Sequence, residues 1–437
     1  MQFFGFFYEI VAICIQHCYN TLIVSEKEKP MKRKDTIWNP VFTSVFIANV
    51  CAQMGQQMMN TLVPKFAHSL GAAASTVGFV SSVFAITALA IRPVSGPAAD
   101  SFSKKKLLIL SNICTVVAFL AYSMSTEVSM VVAARLLHGI GVGMSSPLCL
   151  AMASNSLPDS KLGSGVGVFS LGQAVSQAIG PTIGLSLSRA IGYSQTFLVG
   201  TAVMAAAIVC AFMIREMPED RPKFRISLDR IIAKGAIRPS VVMFFLGASY
   251  SCLSSFLAIY GGARGVDQIG LFFTAYACTM LVTRPICGKL IDKLGFEKVL
   301  VPGIVFFACS FALVSMAKSL PGFILAGVVG ACGYGVCQPT VQSLCMRCTP
   351  KNQRGAAGNT NYIGMDCGML FGPTVSGFVV DSLMKSGVQA VDAYSKMYLI
   401  MTIPMMIGLA YFLLALKRIK KDIADLDAAQ AASKIAE

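Results

Sequence analysis

Ile91-Arg-Pro-Val-Ser-Gly-Pro-Ala-Ala-Asp100, or IRPVSGPAAD, closes a long apolar run with an arginine, two prolines, a glycine and an aspartate. The stretch Thr283 to Asp292, TRPICGKLID, says nearly the same again. Arg92-Pro93 and Arg284-Pro285 stand 284 − 92 = 192 positions apart, and Gly96 with Gly288 and Asp100 with Asp292 keep that offset. So do Gly141/Gly333, Gly143/Gly335, Pro147/Pro339, Pro158/Pro350, Gly163/Gly355, Gly172/Gly364, Gly180/Gly372 and Pro181/Pro373. One shared motif arises by chance. A dozen positions in register, without a gap, mark a duplicated unit.

The duplicated unit is built of membrane helices. Of 437 residues, 55% are hydrophobic and 13% charged, where a soluble protein carries about 25% charged residues. Apolar runs long enough to cross a bilayer, about 20 residues each, are predicted near 41–64, 76–98, 106–125, 128–152, 163–187, 194–214, 239–260, 268–289, 298–317, 320–345, 355–380 and 394–416. Counting from Met31, the breaks on the N-terminal side of these twelve spans hold 25 Lys and Arg, and the other side holds 6. Both termini are therefore expected to be cytoplasmic. The net charge of +15 matters less in a membrane protein than where each Lys and Arg stands, and it calls for no nucleic acid.

The division expected is an N-terminal extension over 1–30, a six-helix bundle over 31–214, a cytoplasmic linker over 215–238, a second bundle over 239–416 and a cytoplasmic tail over 417–437. The extension is apolar but carries Glu9, Gln16, His17 and Asn20, and MKRKDTIWNP from Met31 reads as a natural start; a genuine extra helix is the rival reading. In the linker, FRISLDRIIAKGAI is amphipathic and suits a helix lying on the membrane surface. The 15 cysteines sit mostly inside apolar runs, where cysteine behaves as a small hydrophobe. Cys345-Met-Arg-Cys348 is a lone CxxC, short of the four ligands of a structural zinc.

Three motifs give the chain a resemblance to the major facilitator superfamily of secondary transporters. Gly96-Pro-Ala-Ala-Asp100-Ser-Phe-Ser-Lys104-Lys105 resembles the family's G-x-x-x-D-R-x-G-[RK]-[RK], departing at Ser101 and Ser103, and Gly288 to Gly295 is a second, closer copy. Arg135-Leu-Leu-His-Gly139-Ile-Gly141 matches R-x-x-x-G-x-G, and Gly167, Ser176, Gly180-Pro181 and Gly184 resemble an antiporter-associated motif with Ser for one Gly and Leu185 for the last. The resemblance covers Trp38 to about Arg418 and implies an all-α integral membrane fold of twelve transmembrane helices in two pseudo-symmetric six-helix bundles. It also implies that Asp100 caps the start of span eleven near Gly355 and Asp292 that of span five near Gly163. With Arg92, Gly96, Arg284 and Gly288 they would form a cytoplasmic gate. A carboxylate at a helix N-terminus contributes about 0.3 to 1 kcal/mol, or about 2 when partly buried, which suits a latch that opens every cycle.

The transport residues are sought among polar groups in apolar helices. Asn49, Gln53, Gln56, Gln57 and Asn60 fall on one face of span one. Amides facing lipid are costly, so the stripe faces protein or a wet cavity. Span eleven sets Asn359, Tyr362 and Asp366 on one face, and Asp366 alone among the carboxylates after Met31 lies deep in a span. Such a carboxyl either binds and releases a proton or pairs with a cation, Arg135 and His138 of span four being the partners in view. By resemblance, Arg135 assists proton transfer. Gln173 and Gln177, one turn apart in span five, and flexible Met54, Met58 and Met59 add to the cavity. Gly180-Pro181 and Gly372-Pro373 are expected to shape helix bends and close contacts between the halves.

Gly139-Ile-Gly-Val-Gly143 has the glycines of a nucleotide loop but no strand before it, and neither a P-loop lysine, an HExxH nor a nucleophile elbow occurs. The expectation is a non-enzymatic, monomeric transporter without cofactor or metal. Its partners are a small-molecule substrate, neutral or cationic and amphipathic, and protons. Export by antiport is the first reading, proton-coupled import the second and a membrane sensor the third.

Overall fold

The computed structural model describes residues 37–157, 162–215, 231–350 and 354–436, and among them no strand occurs. The N-terminal extension and most of the linker therefore lie outside the described residues. Asn39 starts the first helix: its side chain accepts from the Phe42 N–H at 2.8 Å and Pro40 follows at the first helical position, where a missing N–H costs nothing. Thereafter long helices alternate in direction. They are α1 (Pro40–Ser69), α2 (Ala74–Ser101), α3 (Lys104–Met124), α4 (Val128–Asn155), α5 (Leu162–Ile191), α6 (Tyr193–Met213), α7 (Ile237–Ala263), α8 (Gly270–Leu294), α9 (Phe296–Met316), α10 (Leu320–Arg347), α11 (Arg354–Lys385), α12 (Ala390–Ile400) and α13 (Thr402–Ala436). Each of the twelve predicted spans falls on one of them, the twelfth broken between α12 and α13. The side on which α1 starts is called the terminal face below, and the other the opposite face.

The duplication is visible in the helix ends. Lys104 and Phe296, Met124 and Met316, Val128 and Leu320, Asn155 and Arg347, and Leu162 and Arg354 begin or end matching helices at the same 192-residue offset. Single glycines make the sharpest joints. Gly192 alone joins α5 to α6 and Gly295 alone joins α8 to α9, with φ of 83° and 84°, a left-handed conformation that only glycine adopts freely. In the first copy of the motif the matching joint is Phe102-Ser103, and Ser103 instead caps α3 by accepting from the Lys106 N–H at 3.2 Å. That explains the departure at Ser103.

Nine stretches among the described residues are long and apolar enough to cross a membrane. The other long helices are α1, α5 and α8, in which amides, glycines or charges interrupt the apolar run. Large apolar side chains such as Phe79, Val117, Phe212, Phe306, Leu325, Phe378 and Leu414 are exposed around the outside, as a lipid-facing surface requires. The chain is a multi-pass membrane protein. Within each half, small residues let helices touch: a Cβ on Gly180 or Gly184 would meet α1 at Gln57 and Met58, and one on Gly364, Gly368 or Gly372 would strike backbone carbonyls of α7. Gly180 and Gly372 thus make contacts inside the halves, not between them. Gly139, Gly141 and Gly143 likewise seat α4 on α2 and α3, so the glycine run is a packing surface. Met58 and Met59 are 1% and 0% exposed, Met59 lying against Gly200 and Met58 against Gly184, which makes both ordinary packing.

Between the halves, α2 packs on α11, α5 on α8 and α1 on α7. At the opposite face the first seam is drawn tight, because a Cβ on Gly78 would overlap Pro373 and one on Gly377 would overlap Ala74. Ala73 has no side chain with which to cap α2. Asp381 of α11 does it instead, accepting from the N–H groups of Ala74 at 3.0 Å and Ser75 at 2.9 Å. Thr374 also donates to Ser82 at 2.9 Å. At the second seam Thr182 donates to the Gly270 carbonyl and shares a bond with Thr274, at 2.7 and 2.8 Å.

Candidate functional site

Midway down the first seam a polar pair replaces the small residues. Arg92 of α2 and Asp366 of α11 form a buried ion pair, the arginine Nε donating to the carboxylate. Asp366 lies 12 residues into α11 and Arg92 lies 9 from the end of α2, or about 18 and 14 Å from the terminal face at 1.5 Å per residue. The guanidinium also sits over the Tyr362 ring, 4.7 Å from its centroid. On the opposite-face side, Phe84, Ala85 and Met369 close over the seam. A buried ion pair linking the two halves is held strongly while both charges are present and loses its attraction when one is neutralised.

This corrects two expectations. The partner of Asp366 is neither Arg135 nor His138, and Arg92 belongs to the membrane interior instead of the gate. The side chains of the other gate residues, Gly96, Asp100, Gly288 and Asp292, and those of Gly163 and Gly355 lie outside the described residues.

The amide stripe of α1 faces protein. Asn49, Gln53 and Gln57 are buried while Gln56 and Asn60 are partly exposed. Gln53 donates to Ser146 at 3.3 Å and Asn60 to Gln57 at 3.1 Å. Opposite them on α5 lie Gln177, buried, and Gln173, partly exposed. The Asn60 Oδ1 and Gln177 Oε1 atoms are buried without a hydrogen-bond partner among the described residues. Asn359, by contrast, leaves the group around Asp366. It donates to the Ile231 carbonyl at 2.9 Å, while the Ala233 N–H donates to Thr360 at 2.9 Å, so the start of α11 moors the end of the linker. Residues 231–236 thus pack on the second half; the remainder of the amphipathic patch is outside the described residues.

Arg135 and His138 sit inside the first half, 1% and 0% exposed. Arg135 donates to the Val80 carbonyl at 3.3 Å, lies 4.9 Å above the Phe84 ring and stands 3.4 Å from His138 Nδ1, which Tyr122 also approaches at 3.3 Å. No carboxylate pairs with Arg135 among the described residues. Through Phe84 this buried cation touches the plug over the Arg92–Asp366 pair.

Sequence reasoning missed a second polar group, in the second half. Arg284, the counterpart of Arg92, donates from Nη2 to Gln338 at 3.0 Å and lies among Tyr250, Tyr276 and Tyr334. Tyr250 and Tyr334 stack with centroids 4.7 Å apart and planes 12° apart. Tyr362 lies within electrostatic reach of both Arg92 and Arg284 and so joins the two groups. The signal was available, since Tyr334 and Gln338 stand one turn apart in an apolar span. Asp381 was missed because it sits at a helix end, where a carboxylate passes for a solvated charge.

Comparison with known proteins follows the same lines. The family model described as Major Facilitator Superfamily matches residues 45–267 and again 239–435. The multi-drug resistance efflux pump PmrA of Streptococcus pneumoniae is 23% identical over 360 residues, covering 78% of this chain and 90% of that one. Multidrug resistance protein 2 of Bacillus subtilis is 21% identical over 373 residues, covering 81% and 91%. Among solved structures, a bacterial homolog of the human lysosomal transporter Spinster, inward-facing and unoccupied, superposes with a TM-score of 0.73 at 12% identity over 87% of this chain and 97% of that one. The nucleoside transporter NupG gives 0.71 at 14% identity over 86% and 99%. These structural likenesses establish the fold.

Proposed function

Because the chain belongs to the Major Facilitator Superfamily, we propose that it exports small amphipathic molecules from the cytoplasm in exchange for protons moving inward. The two duplicated units, taken as 31–214 and 239–416, would rock against each other about a midplane site. The observation that carries the reading is the Arg92–Asp366 pair, a titratable bridge across the seam along which the halves must part. When Asp366 is ionised the pair ties α2 to α11. A proton on the carboxyl removes the attraction and frees the seam. Proton arrival is thus converted into mechanical release.

The 25-to-6 bias in Lys and Arg supports a cytoplasmic terminal face, and with it a cytoplasmic linker and tail, 215–238 and 417–437. Export is supported by what the relatives are named, multidrug efflux pumps, at low identity. Asp100 and Asp292 would latch the cytoplasmic side at the starts of α11 and α5, as Asp381 caps α2 on the other side. The amides at Asn49, Gln53, Gln56, Gln57, Asn60, Gln173 and Gln177 would line the path, with Arg135 and His138 supporting its wall.

The test is transport in proteoliposomes of known orientation under an imposed pH gradient. Protons entering from the face opposite the termini should drive substrate out through that face; movement toward the terminal face would establish import, and no gradient-driven movement would remove the transport reading. Asp366→Asn should abolish gradient-driven accumulation while substrate exchange continues. Full accumulation in that variant would remove Asp366 from coupling.

A further inference from the structure

Where α5 meets α8 at the opposite face, the second seam opens into a crevice of about 310 Å³. Thr182, tied to the Gly270 carbonyl and to Thr274, forms part of its wall, with Ser186 and Arg189 on the α5 side and Gln268 and Leu271 on the α8 side. The crevice therefore belongs to both halves. It lies apart from the Arg92–Asp366 pair, which sits in the first seam.

Its charge is one-sided. Arg189 stands in the last turn of α5, where the helix dipole favours a cation. The dipole does not explain Lys65, which α1 brings, partly buried, within electrostatic reach of Arg189. Like charges so placed repel, the more so where burial removes water. Counted from Met31, the breaks on this side hold 6 Lys and Arg, and two of them meet here. Neither forms an ion pair among the described residues, and no carboxylate lines the crevice among them. Asp267, in the loop before α8, is exposed and shares that loop with Arg264. Helix α8 starts without a side-chain cap, so the positive end of its dipole adds to the field of the two cations.

Depth selects the anion. Lys65 and Arg189 lie just past the ends of the first and fifth predicted spans, 41–64 and 163–187, at the level where long basic side chains reach lipid headgroups. Leu271, at the crevice, and Ile191, at the end of α5, are exposed large apolar side chains. A small anion from water has no use for them, whereas a phospholipid lays its chains there. We infer that the crevice seats the headgroup of an anionic phospholipid, its phosphate between Lys65, Arg189 and the start of α8 and its chains along Leu271. The cations belong to the first half and α8 to the second, so the seated headgroup straps the halves together on this face. Parting of the seam releases it. The inference holds whichever way cargo moves.

The test places the full chain carrying Ser186→Cys in vesicles of phosphatidylcholine, with or without phosphatidylglycerol. Ser186 is exposed in the crevice. Its replacement is labelled with an uncharged, membrane-impermeant polyethylene glycol maleimide, and the rate is read above the background of the chain without that change. Phosphatidylglycerol should slow labelling about tenfold, as two cations beside one headgroup allow. Lys65→Gln with Arg189→Gln should restore the phosphatidylcholine rate. Lys318→Gln with Lys385→Gln, which removes the same charge from this face but not from the crevice, should leave the protection intact. Inorganic phosphate added to phosphatidylcholine vesicles should protect nothing. Equal rates in the two kinds of vesicle overturn the inference without any charge variant. So does protection that survives the first pair of changes or is lost with the second, and protection by phosphate alone would make the ligand a free anion. Labelling requires no transport, so this result and that of the export reading fail separately.

Discussion

Arg92 and Asp366 come from positions 274 apart in sequence and meet where water is scarce. Removing one partner strands the other as a buried charge, at a cost of about 3 to 5 kcal/mol, whereas removing both often costs little. Arg92→Ala should therefore lower thermal stability more than Arg92→Ala combined with Asp366→Asn, as measured by unfolding of the purified protein. Equal midpoints would mean the two side chains do not depend on each other. Asp366 was legible in the sequence because a carboxylate inside an apolar run cannot be incidental. Its partner was not legible. Arg92 sits beside a helix-end motif, and only the crossing of α2 over α11 carries it inward. Asn359 shows the opposite error: helical spacing places it near the face of Asp366, but a side chain there also reaches the end of the linker, and the Ile231 carbonyl takes it.

The helices themselves were readable almost to their ends, since apolar length and the 192-residue register are properties of the chain alone. One break was not anticipated. Pro404 lacks an N–H and its ring collides with the carbonyl one turn back, at Ile400, and the twelfth span divides at Met401 for that reason. Between elements, the α2–α11 contact at the opposite face depends on Gly78 and Gly377. Gly78→Leu should wedge the seam apart, so that a Ser82→Cys thiol becomes more reactive toward a membrane-impermeant maleimide from that side; unchanged reactivity would show that the glycine contact is incidental. With Ser82→Cys and Thr374→Cys together, oxidation should form a bond across the seam and arrest transport, and reduction should restore it. Continued transport by the cross-linked species would mean that this seam does not part during the cycle.

For the molecule as a whole, Asp381 is, among the described residues, the latch between a carboxylate and a helix start, and it acts on the face opposite to the one where the sequence motifs locate theirs. Asp381→Asn removes a charge–dipole contact of about 0.3 to 1 kcal/mol, or about 2 if partly buried. It should therefore shift the population toward conformers open at the opposite face by a few-fold, up to about thirtyfold, read as faster labelling of the Ser82→Cys thiol. No change would reduce Asp381 to a local cap. The duplicated architecture leads one to expect two equal joints, yet the joints differ. Among the described residues, the α2–α11 side is fastened by an ion pair, two backbone bonds, a hydroxyl bridge and interlocked glycines, and the α5–α8 side by the bonds of Thr182. A gate hung on one stout post should swing from that post, so that under the proposed export cycle the other edge is expected to part first and let the cargo out.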